Sequence, residues 1–436
     1  MKIFGVFVIS SLMVACFSAD GKTITRSPST AHNCPDNQSK PLPPSIQPLI
    51  DPDMQFFYSP PNNPSPADST DIEGHQRWIN AIQGAKTSVL LTVYHLTDLS
   101  VINALIQKQK DLENNLHAAV EPSDLTKGVH IIVDPDFYNN KSPAIQDDIQ
   151  MLKAANVDIQ PGDKAFSITH MKSMIIDEST AFVTSMNLTT AQFKTRDMGI
   201  VTHDQDVISE MNKVFTFDHN NLNINTDPNN PQEPKDLPAR SSLVWSPINS
   251  ENKLISLIQS SSRSLKCTTE SLTDPKIMQA FECAKSRGVD VQVITPQFDE
   301  APPPCMNWDH ETAMNTAAGS EISRLMPGRG TANSGSTPGI PYIHQKMCLS
   351  DYNTDTGGTA YVGSVNLSNN STQHARELGI IFQNKAAGAQ MNQIFSQDWG
   401  QSISVPDAGT EKKLCAPPKS KNTPGQTSKP VSQLTK

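Results

Sequence analysis

Two stretches of this chain carry the same reactive side chains. They are His170-Met171-Lys172-Ser173-Met174-Ile175-Ile176-Asp177 and His344-Gln345-Lys346-Met347-Cys348-Leu349-Ser350-Asp351, both of the form H-x-K-x4-D. The first continues to Thr184-Ser185-Met186-Asn187 and the second, after a longer connection, to Gly363-Ser364-Val365-Asn366. Beyond each lies an acid beside an arginine: Asp197 in Arg196-Asp197-Met198-Gly199-Ile200 and Glu377 in Arg376-Glu377-Leu378-Gly379-Ile380. Histidine changes charge near neutral pH and can act as nucleophile, base or acid. Two histidines in different protonation states can therefore attack and protonate a leaving group within one turnover. Lys172 and Lys346 offer positive charge to anionic oxygens, and Ser185, Asn187, Ser364 and Asn366 are expected to donate hydrogen bonds to them. Asp197 and Glu377 can accept from the distal ring nitrogens and fix the tautomers. This set requires no divalent metal and no cofactor.

A lone H-x-K means nothing, but two long copies at matching places imply a duplicated unit. The flanking sequence repeats as well. Phe57-Tyr58-Ser59-Pro60 parallels Val244-Trp245-Ser246-Pro247, and Trp78–Ile82 parallels Leu254–Ile258, both with helical spacing. Apolar runs 88–94 and 264–270 follow, then Leu-Thr-Asp at 96–98 and 272–274, then further helical and apolar segments at 128–133 and 288–294. Apolar runs alternating with helices predict an α/β protein of two pseudo-symmetric repeats, each a mixed, mostly parallel β-sheet flanked by helices. In a strand, period-two alternation places each motif's His and Lys on one face.

With both motif blocks in view, the chain resembles the phospholipase D superfamily, the HKD phosphodiesterases, over roughly residues 55–400. The resemblance implies that the two motifs meet in one active site and that a phosphohistidine intermediate forms. It implies His170 as nucleophile and His344 as acid/base, with Asp177 and Asp351 holding structure. The implied substrate is a phospholipid at a membrane surface, its headgroup hydrolysed or transferred to an alcohol. An exported nuclease is the alternative, since the same chemistry cleaves nucleic acid. Complete His, Lys and Asn sets argue against an inactive binding protein. A cardiolipin-synthase-type transferase would normally carry N-terminal membrane helices. Two departures from the family pattern stand out: Thr184 replaces a usual Gly, and Tyr352–Val362 lengthens the second turn, with a hairpin tip at Asp355-Thr356-Gly357-Gly358.

The rest of the chain frames these repeats. Its 436 residues carry a net charge of −9, which argues against nucleic-acid affinity resting on a basic surface, although a local basic cleft remains compatible. Residues 1–19 read as a signal peptide, so the protein is expected to be secreted or periplasmic. Met13-Val14-Ala15-Cys16 also resembles a lipobox, which would make Cys16 a lipidated anchor. Residues 20–54 read as a disordered or extended lead-in, 55–220 as the first half, 221–239 as a linker, 240–400 as the second half and 401–436 as a disordered tail. A monomer without an obligate protein partner is expected. Six cysteines remain after Cys16, an even number that permits disulfides in an exported chain, with connectivity open. No Cys, His or carboxylate cluster has metal-ligand spacing. His75, His95, His117, His130, His203, His219, His310 and His374 are accordingly assigned structural or surface roles. Phe298 and Trp308 are candidates to meet an acyl chain.

Overall fold

A computed structural model describes residues 34, 38–59, 73–221, 231–297, 307–327 and 340–406, and the backbone of a short ribbon pairing 15–17 with 23–25. The expected signal sequence up to residue 14, the centre of the linker, Phe298, the Gly/Pro-rich stretch 328–339 and the tail beyond 406 lie outside the described residues. No helix among the described residues is long and apolar enough to cross a membrane.

The first half runs β1 (Gln55–Ser59), α1 (Glu73–Gly84), β2 (Ser88–Val93), α2 (Leu99–Leu116), β3 (Gly128–Val133), α3 (Pro135–Tyr138), α4 (Pro143–Ala154), β4 (Asp158–Pro161), β5 (Lys172–Ile176), β6 (Thr180–Thr184), β7 (Asp197–Thr202) and α5 (Gln205–Asn220). The second runs β8 (Leu243–Ser246), α6 (Ser250–Ser260), β9 (Ser264–Thr268), α7 (Pro275–Ser286), β10 (Asp290–Pro296), α8 (Asn307–Ala318), β11 (Ser323–Met326), β12 (Lys346–Ser350), β13 (Thr359–Gly363), α9 (Asn369–Gln373), β14 (Glu377–Phe382) and α10 (Lys385–Gln401). The repeated Leu-Thr-Asp supplies matching helix starts. Asp98 accepts from the backbone N–H groups of Ser100 and Val101, and Asp274 from those of Lys276 and Ile277.

Each half forms a seven-stranded sheet, ordered β1-β7-β6-β5-β2-β3-β4 and β8-β14-β13-β12-β9-β10-β11. Every strand of the first sheet thus has a counterpart seven places on. The expectation of mostly parallel sheets needs qualification. Only β2/β3 and β3/β4, with their counterparts, pair in parallel. The remaining neighbours are antiparallel, and of these β5 and β6 are joined by a tight turn over 177–179.

Strand alternation explains the layering. Val89, Leu91 and Val93 pack outward with α1, α2 and α4, whereas Leu90 faces a core shared by both sheets. Ile175, Val183 and Ile200 of one half meet Leu349, Val362 and Ile380 of the other there, with Met211 and Phe215 of α5 and Met391 and Phe395 of α10. The two repeats therefore bury a common apolar interior.

Segments read as peripheral are partly docked. Ile46 and Leu49 of the lead-in are buried and bridge to Ser241 and Phe382, and Cys34 is disulfide-bonded to Cys283 on α7. A second disulfide, Cys267–Cys348, joins β9 to β12 at paired register. Cys305 and Cys415 lie outside the described residues. Within the expected linker, Glu233 pairs with Arg376 at 2.7 Å. Trp308 is buried, its indole N–H donating to the Gln297 carbonyl, so it is a core residue rather than a contact for an acyl chain.

Candidate active site

Each motif histidine begins the approach to the central strand of its sheet, and backbone bonds lace the two approaches together. Thr169 and Arg376 form one parallel bridge between the halves, and Arg196 and Ile343 form another. The His170 N–H donates to the Arg376 carbonyl at 3.0 Å, and the His344 N–H to the Arg196 carbonyl at 3.1 Å. Buried guanidiniums reinforce both crossings. Arg196 is held by Asp398 of α10 (3.0 and 3.1 Å), and Arg376 by Asp218 of α5 (2.7 and 2.8 Å). Neither clasp is marked in the sequence beyond the arginine that precedes the acid in both copies.

The consequence is a crossed arrangement. His170 Nδ1 lies 2.8 Å from Glu377 Oε2, and His344 Nδ1 lies 2.8 Å from Asp197 Oδ1. Each ring is oriented by the carboxylate of the opposite repeat, which leaves Nε2 for chemistry. The rings are 6.4 Å apart, edge to face, and both are nearly enclosed. The lysine Nζ atoms donate to the carbonyls of their own motif histidines, at 2.6 Å for Lys172 and 2.5 Å for Lys346.

The two carboxylates differ in support. Asp197 Oδ1 also accepts from Ser185 Oγ at 2.6 Å, and its other oxygen from Thr195 Oγ1. Burial opposes its charge, but His344, Lys346 and Ser185 hold it down to about 2. Burial drives Glu377 up to about 7 despite Lys172 and Lys346. His170 is pushed well below the usual imidazole range, first by burial and then by the two lysines. Burial, then Lys346, likewise lowers Lys172.

The amides and hydroxyls divide. Both amide atoms of Asn187 are buried without a protein partner, as a residue awaiting a ligand oxygen would be. Asn366 Oδ1 accepts from Thr269 Oγ1 and the Ser271 N–H, each at 3.2 Å, which leaves its Nδ2 as donor. Ser185 and Ser364, expected to reach substrate oxygens, are instead turned inward: Ser364 Oγ donates to the Leu378 carbonyl at 3.2 Å beside Glu377. Asp177 gathers the backbone N–H groups of Lys86, Thr87 and Ser88, and Asp351 those of Ser262, Arg263 and Ser264. Both aspartates sit at positive φ in the turns after β5 and β12 and tie those turns to the segments that lead into β2 and β9.

Glu270, at the end of the apolar run 264–270, carries no motif signal in the sequence. Its carboxylate lies 3.0 Å from Lys346 Nζ and 3.7 Å from His344 Nε2, and accepts from the Tyr342 hydroxyl at 3.0 Å. Burial opposes its charge, but Lys346 and His344 hold it down to about 2. The matching place in the first half is Tyr94, whose ring lies under Lys172 and edge-on to His170. His95 stacks on Tyr94 and is drawn down to about 4 by burial, then by Lys172 and His344. The repeats supply one pseudo-symmetric machine with chemically unlike flanks. Such a site can attack one side of an anionic phosphorus centre, protonate the other and neutralise the oxygens between.

The family model described as "Cardiolipin synthase, PLD-like domain" matches residues 78–218 and 254–399. That is well over half of the chain, which therefore belongs to this phospholipase D-like family, whose members act on phosphodiesters. No curated protein matches in sequence. Among solved structures, phosphatidylserine synthase of Haemophilus influenzae Rd KW20 superposes with a TM-score of 0.57 at 13% identity, over 85% of this chain and 92% of that one. Polyphosphate kinase of Porphyromonas gingivalis gives a TM-score of 0.53 at 11% identity, over 82% of this chain. This chain spans only 54% of the length of the kinase. The phospholipase D family member Nuc of Salmonella typhimurium is matched over 38% of this chain at 20% identity with a TM-score of 0.30. The likenesses to the synthase and the kinase concern the fold.

Proposed function

We propose that the protein is a phospholipase D-type phosphodiesterase that removes phospholipid headgroups, by hydrolysis or transfer to an alcohol, through a phosphohistidine. The observation that carries this reading is the crossed pair of buried imidazoles, each oriented at Nδ1 by a carboxylate of the other repeat. His170 Nε2 attacks phosphorus, a P–N bond forms, and the P–O bond to the leaving alcohol breaks as His344 delivers a proton to that oxygen. Water or an acceptor alcohol, deprotonated by His344, then attacks phosphorus and releases His170. Lys172, Lys346, Asn187 and Asn366 hold the non-bridging oxygens. Glu270, beside His344 Nε2, gives the leaving-group side an acceptor for an ammonium or hydroxyl of a headgroup. The net charge of −9 favours lipid over nucleic acid.

Phosphatidylcholine, phosphatidylethanolamine and single-stranded DNA assayed in parallel, with EDTA present, test this reading. Headgroup release without DNA cleavage is expected; cleavage of DNA alone would establish the nuclease alternative. Because the side chains supply every role, turnover of a soluble short-chain substrate is expected to persist in EDTA. Complete loss restored by a single metal, with no fall in Tm on chelation, would overturn metal-independent chemistry.

Glu377 sets a pH dependence whose sign follows from the geometry. Below about 7 its carboxyl holds a proton and donates to His170 Nδ1, which puts the ring N–H on Nε2 and silences attack. Above it the carboxylate accepts from Nδ1–H and Nε2 presents its lone pair. Single-turnover attack is therefore expected to rise with pH through the neutral range. Glu377→Gln keeps an acceptor for Nδ1–H without titrating, and should flatten that limb. An unchanged limb in the variant would show that another group titrates.

A further inference from the structure

We propose that His130, Asp158 and His219 form a binding site for a zinc-like divalent cation, outside the catalytic centre. The three residues are far apart in sequence but converge because β3 lies beside β4 at the register His130↔Asp158, while the last turn of α5 crosses them. His130 Nδ1 lies 2.9 Å and His219 Nε2 2.6 Å from the same oxygen, Asp158 Oδ2. Among the described residues this is the one group of three metal-type ligands whose donor atoms all fall within 4.8 Å of each other. Reading the sequence by spacing excluded such a cluster, since spacing sees only neighbours along the chain.

The distal nitrogens support ligation. His130 Nε2 lies 2.7 Å from the Lys127 carbonyl oxygen, which can only accept, so Nε2 carries the N–H. In a neutral ring, Nδ1 then presents a lone pair to a carboxylate oxygen that is also acceptor-only. A cation between them resolves the opposition. His219 has the same outer partner type, Asn220 Oδ1 at 3.3 Å from Nδ1. An imidazole that ligates with one nitrogen and donates to a carbonyl or amide oxygen with the other is the usual arrangement around protein-bound zinc. Two imidazoles and one carboxylate suit zinc better than calcium or magnesium. With metal–ligand bonds of about 2.0–2.2 Å, tetrahedral ligand atoms stand about 3.3–3.6 Å apart, so the two nitrogens now 2.6 and 2.9 Å from Asp158 Oδ2 need to draw back by well under one side-chain rotamer step. Asp158 and His219 are partly exposed, so an ion can enter, and a water or the second Asp158 oxygen completes the shell.

Occupancy would reach the catalytic centre indirectly. Asp218, the neighbour of His219, grips Arg376, whose carbonyl receives the His170 N–H. A cation that ties α5 to β3 and β4 therefore stiffens the end of α5 that grips Arg376, and through it the backbone that holds His170.

The test uses the full chain stripped with EDTA, then titrated with Zn2+ by calorimetry and thermal melting, without substrate. One Zn2+ per chain and a rise in Tm are expected, with affinity falling at least about tenfold in His219→Gln and in Asp158→Asn. Should a variant fail to fold, wild-type protein titrated with Co2+ should show the visible bands of tetrahedral coordination. No saturable binding, or undiminished binding in a folded variant, would overturn the site. Neither outcome touches the phosphodiesterase reading, which is measured on substrate.

Discussion

His170→Ala is expected to be inactive on every phosphodiester, whereas His344→Ala keeps measurable p-nitrophenyl phosphodiesterase activity and accumulates a phosphohistidine at His170. The two rings sit in equivalent repeats but unlike surroundings. His170, driven toward the neutral form by burial and two lysines, suits attack. The His344 ring has a carboxylate near each nitrogen, Asp197 at Nδ1 and Glu270 toward Nε2, which suits a ring that carries and delivers a proton. Loss of the nucleophile should cost on the order of 10⁴-fold or more, since no covalent intermediate can form. Loss of the acid should cost roughly 10²–10⁴-fold for an alkoxide leaving group, and much less for p-nitrophenolate, which departs unprotonated. Peptide mapping of the trapped enzyme decides the assignment: phosphate on His344 would reverse the roles. Near-native turnover of natural phosphodiesters by both variants would sink the mechanism.

Breaking the clasp between the repeats should be the largest effect on stability. Arg196→Met leaves Asp398 fully buried without its partner, and burial already raises that carboxyl against the pull of Arg196. Removing one member of a buried ion pair costs about 3–5 kcal/mol, while replacing both by apolar residues of similar volume is often near neutral. Chemical denaturation should therefore rank wild type and the double variant Arg196→Met/Asp398→Leu close together, with the single variant well below both. A single variant within about 0.5 kcal/mol of wild type would place it among ordinary surface substitutions and refute the clasp.

Much of this molecule was legible in the chain because duplication prints itself in sequence. The paired Leu-Thr-Asp segments became paired helix caps at Asp98 and Asp274. The matching apolar runs became the central strands of two sheets with one strand order. Local reading failed where a partner is distant or a flank is unlike. The lead-in looked unstructured from its composition, yet Ile46 and Leu49 find buried seats on the second half. Ser185 looked like a substrate donor beside Asn187, but it turns to Asp197, a nearer buried charge that must be satisfied.

The sequence alone determined the duplication, the paired His170/Lys172 and His344/Lys346 motifs, and the apolar runs that follow each of them into a strand. Those properties are local, set by residue type and by the geometry of a single strand. Only the tertiary structure decided that His170 answers to Glu377 and His344 to Asp197, across 207 and 147 residues. It likewise placed Glu270 against Lys346 and gathered His130, Asp158 and His219. The reason is that two sheets packed through one apolar core bring strand ends together face to face. Side chains from opposite repeats, or from distant strands and helices of one repeat, then become direct neighbours, and no spacing along the chain encodes that distance.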